Sequence, residues 1–161
     1  MQRFFNSSLG VSSGLALGRL TPPKLGYRLA AFGAKMLARR ADSPMVKAVR
    51  ANQLVIRGDD LSNDEINQAV YEVLFHAGRC FVDLYHNLQN PGGLKQLAPL
   101  NTALEDLIVQ SHAHSTGAFI VAPHLSNFDL VLLAAAYRGL KAQVLTYGNP
   151  SGGYKIQNDL R

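Results

Sequence analysis

Hydrophobic positions recur three and four residues apart over most of this chain. After the Pro22-Pro23 break, the spacing predicts a helix over Lys24 to Arg40, with Leu25, Leu29, Phe32, Met36 and Leu37 on one side and basic residues on the other. Asp42-Ser43-Pro44 restarts a helix towards Leu54, and Gly58-Asp59-Asp60 ends it in a turn. Ser62-Asn63-Asp64-Glu65 is a capping box opening the longest helix, whose core line runs through Ile66, Val70, Val73, Leu74, Ala77, Phe81, Leu84 and Leu88. Arg79 and Asp83, four apart on this helix, read as an ion pair. Asn90-Pro91-Gly92-Gly93 predicts a loop, and Leu97 to about Gln110 includes a further helix lined by Leu104, Leu107 and Ile108.

The pattern changes after Gly117. The unbroken apolar run Ala118 to Ala122 predicts a buried strand, and Pro123 keeps Ala122 out of helical geometry, so the strand extends to His124. A helix follows from about Asn127 to Leu140, with Gly139 closing it, and Ala142 to Tyr147 reads as the next strand. Strand, helix and strand make a parallel, right-handed crossover unit. The expected fold class is therefore α/β: a helical N-terminal region followed by the start of a mostly parallel sheet flanked by helices. The expected domains are a basic helical region over residues 1–60 and an α/β region over residues 61–161.

Charge sharpens that division. Residues 1–50 carry nine basic side chains against the single acid Asp42, whereas the remainder carries seven basic and ten acidic residues. A basic region whose cations alternate with Leu, Ala, Tyr and Phe at helical spacing suits an anionic membrane surface. No helix-turn-helix, zinc-finger or aromatic RNA-binding pattern accompanies it, so nucleic acid is not the expected partner. No run approaches the roughly 20 apolar residues of a membrane span, which predicts a chain lying on a membrane rather than crossing it. Phe4 to Leu17 is diluted by Asn6, Ser7, Ser8, Ser12 and Ser13 and does not read as a cleaved signal. A hydrophobic content of 47% with 17% charged residues argues against disorder. Cys80 is the single cysteine, which excludes an internal disulfide and is compatible with a reducing cytosol.

Candidate chemistry centres on His124 and Asp129. A histidine at a strand's end, with a carboxylate in the first turn of the next helix, makes a general base whose second nitrogen is held by the acid. Such a pair can deprotonate a substrate hydroxyl that attacks an activated acyl carbonyl, with no serine or cysteine nucleophile. Ser126-Asn127-Phe128-Asp129 also reads as a capping box, and the two roles are compatible. Ligands in parallel sheets gather beyond the strands' C-terminal ends, which makes Tyr147, Asn149 and Lys155 pocket candidates; turn formation and surface charge explain them equally. His112 and His114 invite a metallohydrolase reading with His124 and Asp129, but they precede the expected strand and would lie at its opposite end, roughly 20 Å away. His76 and Cys80, four apart, lack a second pair of ligands.

The segment Ala122-Pro123-His124-Leu125-Ser126-Asn127-Phe128-Asp129-Leu130 resembles the His-x4-Asp block of the glycerolipid and lysophospholipid acyltransferase superfamily. It looks closest to the bacterial lipid A biosynthesis branch, with Ser126 where that branch often has Gly and Phe128 where it often has Trp. Leu20-Thr21-Pro22-Pro23, Val49 to Leu54 and Gln143 to Pro150 follow the branch's order at the level of pattern. The resemblance implies transfer of a fatty acyl group from acyl carrier protein or coenzyme A to a hydroxyl of a membrane glycolipid or lysophospholipid. It implies His124 as base and Asp129 as its orienting acid; Ser126 and Asn127 within the block, with Tyr147 and Asn149 at the end of the second expected strand, are the candidate substrate contacts. The thioester is a co-substrate, and no bound cofactor or metal is implied. The implied location is the cytoplasmic face of a bacterial inner membrane. Family members are typically close to twice this length, so the chain reads as an N-terminal piece, which predicts an exposed apolar face or open sheet edge. A non-catalytic, membrane-associated fragment and, less favoured, a metal-dependent hydrolase are the alternatives.

Overall fold

The computed structural model describes residues 7–58, 60–113, 119–121, 127–145, 148–149 and 152–160. Of these, 75% are helical and none is in a strand. The helices are α1 (Ser8–Leu20), α2 (Pro23–Ala38), α3 (Pro44–Arg57), α4 (Asn63–Asn87), α5 (Pro91–Leu97), α6 (Thr102–Ala113), α7 (Phe128–Tyr137) and α8 (Gly153–Leu160). Two compact units are distinguished, one of Thr21–Val82 and one of Met1–Leu20 with Asp83–Arg161, so α4 contributes to both.

The expected α/β fold with a parallel sheet is overturned. Residues 119–121, in the middle of the first expected strand, have no regular structure, and Phe119 and Val121 are 101% and 94% exposed. Residues 141–145, most of the second, are likewise irregular, with Leu145 fully exposed. An apolar run is compatible with a strand but does not make one. A parallel strand needs a hydrogen-bonded neighbour on the ladder and helices covering both faces, and the described residues supply neither. The Asn90 to Gly93 loop is corrected too: Asn90 Oδ1 accepts from the Gly93 N–H at 3.0 Å and opens α5, with Pro91 in its first turn.

Where a helix was expected from its start and stop signals, one formed. Pro44 occupies the first turn of α3, and Gly58, at φ 93°, ends it by returning its N–H to the Leu54 carbonyl at 2.9 Å. The Ser62–Glu65 box forms at the start of α4: the Ser62 N–H and Oγ–H donate to Glu65 Oε2 at 2.9 and 2.7 Å, and the Glu65 N–H donates to Ser62 Oγ at 3.3 Å. These two bonds from Ser62, the hydroxyl's first and the backbone's second, hold the Glu65 carboxyl below its ordinary range.

Within the Thr21–Val82 unit, Ala34, Val46, Val70 and Leu74 form the core, with Leu37, Val49, Tyr71 and Phe75 packed against it. Side-chain size sets the α2–α4 contact. A Cβ added to Gly26 would lie 2.7 Å from Val82 Cγ1, and one added to Gly78 would lie 3.1 Å from Ala30 Cβ. The pairs 26 with 82 and 30 with 78 make the helices antiparallel, with Gly26, Ala30 and Ala34 spaced by four along the contact. The core line of α4 therefore passes through Gly78 and Val82 rather than Ala77 and Phe81, and Phe81 is exposed. Arg79 lies with its guanidinium carbon 4.9 Å from the Tyr27 ring centroid and 5.8 Å from that of Phe75, a cation–π arrangement. Arg50 hydrogen-bonds Asn67, and Arg57 meets Glu72 at 3.7 Å, a half-exposed pair of small energetic weight.

In the other unit, α1 packs on α8, and α5 packs on α7 through Leu94, Ala98, Leu130 and Ala134. Gly18 lets α1 approach Tyr85, for a Cβ there would meet Tyr85 Cβ at 2.6 Å, and His86 Nδ1 donates to the Gly18 carbonyl at 3.3 Å.

Candidate active-site region around helix α7

Helix α7 is the element that carries the described part of the His-x4-Asp block. Phe128-Asp129-Leu130-Val131-Leu132-Leu133-Ala134-Ala135-Ala136-Tyr137 lacks Gly, Pro and mid-helix polar residues, so it propagates once nucleated. Leu130, Ala134 and Ala135 are buried. At its end, the Leu140 N–H returns to the Ala135 carbonyl and the Gly139 N–H to the Ala136 carbonyl, with Gly139 at φ 99°: a Schellman stop. Three long-range bonds hold the helix in place. Tyr137 Oη donates to the Leu88 carbonyl at 2.7 Å, Arg138 Nη1 to the Ala98 carbonyl at 3.2 Å, and His112 Nε2 to the Gly139 carbonyl at 2.6 Å.

Its N-terminus is unusual. Asn127 precedes the first helical residue at φ 59° and ψ 15°, the left-handed region, and is the single non-glycine there among the described residues. Asparagine tolerates that conformation better than most residues, and its occurrence at a site is a reason to ask what holds it. Asn127 Nδ2 donates to Asp83 Oδ2 at 3.4 Å, while its Oδ1 is sealed from solvent with no hydrogen-bond partner among the described residues. Asp83 comes from the last turn and a half of α4, where Asn87, itself buried, donates through Nδ2 to the Asp83 carbonyl at 2.8 Å. An asparagine in the left-handed region at a helix N-terminus, its amide 3.4 Å from a carboxylate 44 residues away, is thus what distinguishes this end of α7.

Asp129 is the second residue of α7, so its carboxylate stands at the positive end of the helix dipole. The expected capping box is revised accordingly: Asn127 occupies the N-cap position without a side-chain cap bond. His124, Ser126, Tyr147 and His114 lie outside the described residues, and so does any His124–Asp129 contact. Asn149 and Lys155 are exposed, Asn149 in a bend and Lys155 on α8. His112 is engaged with Gly139, and since a carbonyl accepts only, Nε2 carries the proton there. Among the described residues no three His, Cys, Asp or Glu side chains cluster as metal ligands would.

Comparison with protein-family models, with curated proteins and with solved structures returns no match.

Asp83 is the residue that sequence reasoning missed. Its spacing from Arg79 suggested a local partner, and nothing in the sequence pointed to Asn127.

Proposed function

We propose that this chain is an acyltransferase that moves a fatty acyl group from an acyl carrier protein or coenzyme A thioester to a hydroxyl of a membrane glycolipid or lysophospholipid, working at the cytoplasmic face of a bacterial inner membrane. The reading rests on the His124-to-Leu130 run, and the observation that carries it is the position of Asp129 in the first turn of α7, directly after the strained Asn127. It does not depend on a sheet. His124 removes the proton from the acceptor hydroxyl as that oxygen attacks the thioester carbonyl. The new C–O bond forms, the C–S bond breaks, and the thiolate leaves with the proton returned by the imidazolium. Asp129 holds the imidazole's other nitrogen. Asn127, at the N-cap position, sets the start of the helix that carries Asp129, and Asp83, through its bond from Asn127, positions that start.

The test is acyl transfer from labelled acyl carrier protein or coenzyme A thioester into a pool of lysophospholipids and lipid A precursors. The chain is compared with His124→Ala and Asp129→Asn, and far-UV circular dichroism verifies each fold. Product that falls by at least about 100-fold in His124→Ala is expected for loss of a general base. Turnover unchanged in that variant, or no His124-dependent product from any donor, refutes the assignment in favour of a non-catalytic, membrane-associated protein.

A further inference from the structure

Helix α2 carries its bulk on the side away from its own unit. Successive residues of a helix turn by about 100°, so Gly26, Ala30 and Ala34 share the face that meets α4, where the approach is too close for larger side chains. Leu25, Leu29, Phe32 and Met36 recur at four, three and four residues along the opposite face. They are 48%, 51%, 67% and 43% exposed. A helix that only had to fill the core would place leucine and phenylalanine inside and small or polar residues outside. This one sends Leu37 to the core but leaves Leu25, Leu29, Phe32 and Met36 outside, on a row that runs most of its length.

Charge identifies the occupant. Lys24, Arg28, Lys35 and Arg39 line one flank of that apolar row, and α2 contains no acidic residue. A second copy of the chain seated antiparallel on this face would bring like-charged flanks together, and no acidic residue of α2 would meet the cations in either pairing of the two helices. An anionic lipid surface meets both features at once, with acyl chains for the row and headgroup phosphates for the flank. None of the described helices is long and apolar enough to cross a membrane, so the helix would lie in the interface.

We infer that the outer face of α2 is a membrane-docking surface. Leu25, Leu29, Phe32 and Met36 enter the boundary between headgroups and acyl chains, and the four cations contact anionic headgroups. The inference names the partner surface of the reaction proposed above and rests on that reading for its purpose, but its test reads binding rather than turnover, so either can fail alone.

The experiment is flotation of the whole chain with phosphatidylcholine vesicles, with and without phosphatidylglycerol. The chain contains no tryptophan and six tyrosines, so Phe32→Trp also provides a single indole, excited selectively over the tyrosines, for quenching by brominated lipid. Preferential flotation with phosphatidylglycerol vesicles, weakening with added salt, is expected. Phe32→Ser should lower partitioning about tenfold or more, and each cation changed to Gln about fivefold. These side chains lie off the α4 contact, so circular dichroism should be unchanged. No flotation with anionic vesicles, or flotation in which the indole of the Phe32→Trp variant stays unquenched and Phe32→Ser has no effect, overturns the inference. Self-association that Phe32→Ser abolishes, without vesicle binding, overturns it in favour of a contact between copies.

Discussion

Gly26→Ala and Gly33→Ala make the same chemical change seven residues apart on α2, and the structure separates their effects. Both should gain helix propensity, about 0.5–1 kcal/mol for removing a glycine from a helix interior. At Gly33 the new methyl meets nothing within 4 Å, so the gain stands. At Gly26 it would sit 2.7 Å from Val82 Cγ1 and 3.4 Å from Cγ2. Valine is stiff about χ1 in a helix, so the clash cannot be relieved by swinging a flexible end; α2 must back away from α4, at an overpacking cost of about 1–3 kcal/mol. The expected separation between the two variants is therefore about 1–3 kcal/mol, read from urea unfolding followed by circular dichroism. With about 2–4 °C per kcal/mol for a chain of this size, Gly33→Ala should raise Tm by about 2 °C and Gly26→Ala should lower it or leave it flat. Adding Val82→Ala to Gly26→Ala removes the obstructing methyls, and the pair should show favourable coupling. Equal stabilisation by Gly26→Ala and Gly33→Ala would refute the close contact, and with it the argument that α2 packs through its small residues.

Ser62→Ala should cost about 1 kcal/mol by opening the capping box of α4, measured by urea unfolding. The same box should give an acid-sensitive contribution. Its bonds are made by ionised Glu65, whose pKa is lowered by folding, so that stability is present above the unfolded carboxyl range and is lost as pH falls through the folded value. Glu65→Gln should flatten that acid limb, and an unchanged limb counts against the box. Gly139→Ala should destabilise by about 1–2 kcal/mol, because φ 99° is strained for any L side chain and the new methyl would press on His112 Nε2 at 3.2 Å; a neutral effect in the same assay would contradict the Schellman stop of α7.

Helices α3, α4 and α7 were legible at the ends that local chemistry wrote, whereas the Asn90 cap that opens α5 read as a loop. Pro44 and Gly58 bracket α3, Ser62 and Glu65 open α4, and Gly139 ends α7, each through bonds between near neighbours in the chain. The core-facing side of α4 was legible for Ile66, Val70 and Leu74 but drifted by one residue at its far end, because Gly78 reads as an empty position until Ala30 is known to press on it. At the candidate site, Asp129 at the start of a helix was foreseen. Its neighbour's left-handed backbone and the bond from Asn127 to Asp83 were not, since they depend on where α4 and α7 meet.

By itself the sequence determined both ends of α3, the start of α4 and the end of α7, the cationic and apolar character of α2 and the placement of an acid in the first turn of α7, because capping, propensity and periodicity act over a few residues. Tertiary structure decided the rest. Whether Phe119 to Val121 becomes a strand depends on a partner ladder, which face of α2 turns inward depends on the groove that α4 offers, and Asp83 reaches Asn127 only through packing across 44 residues.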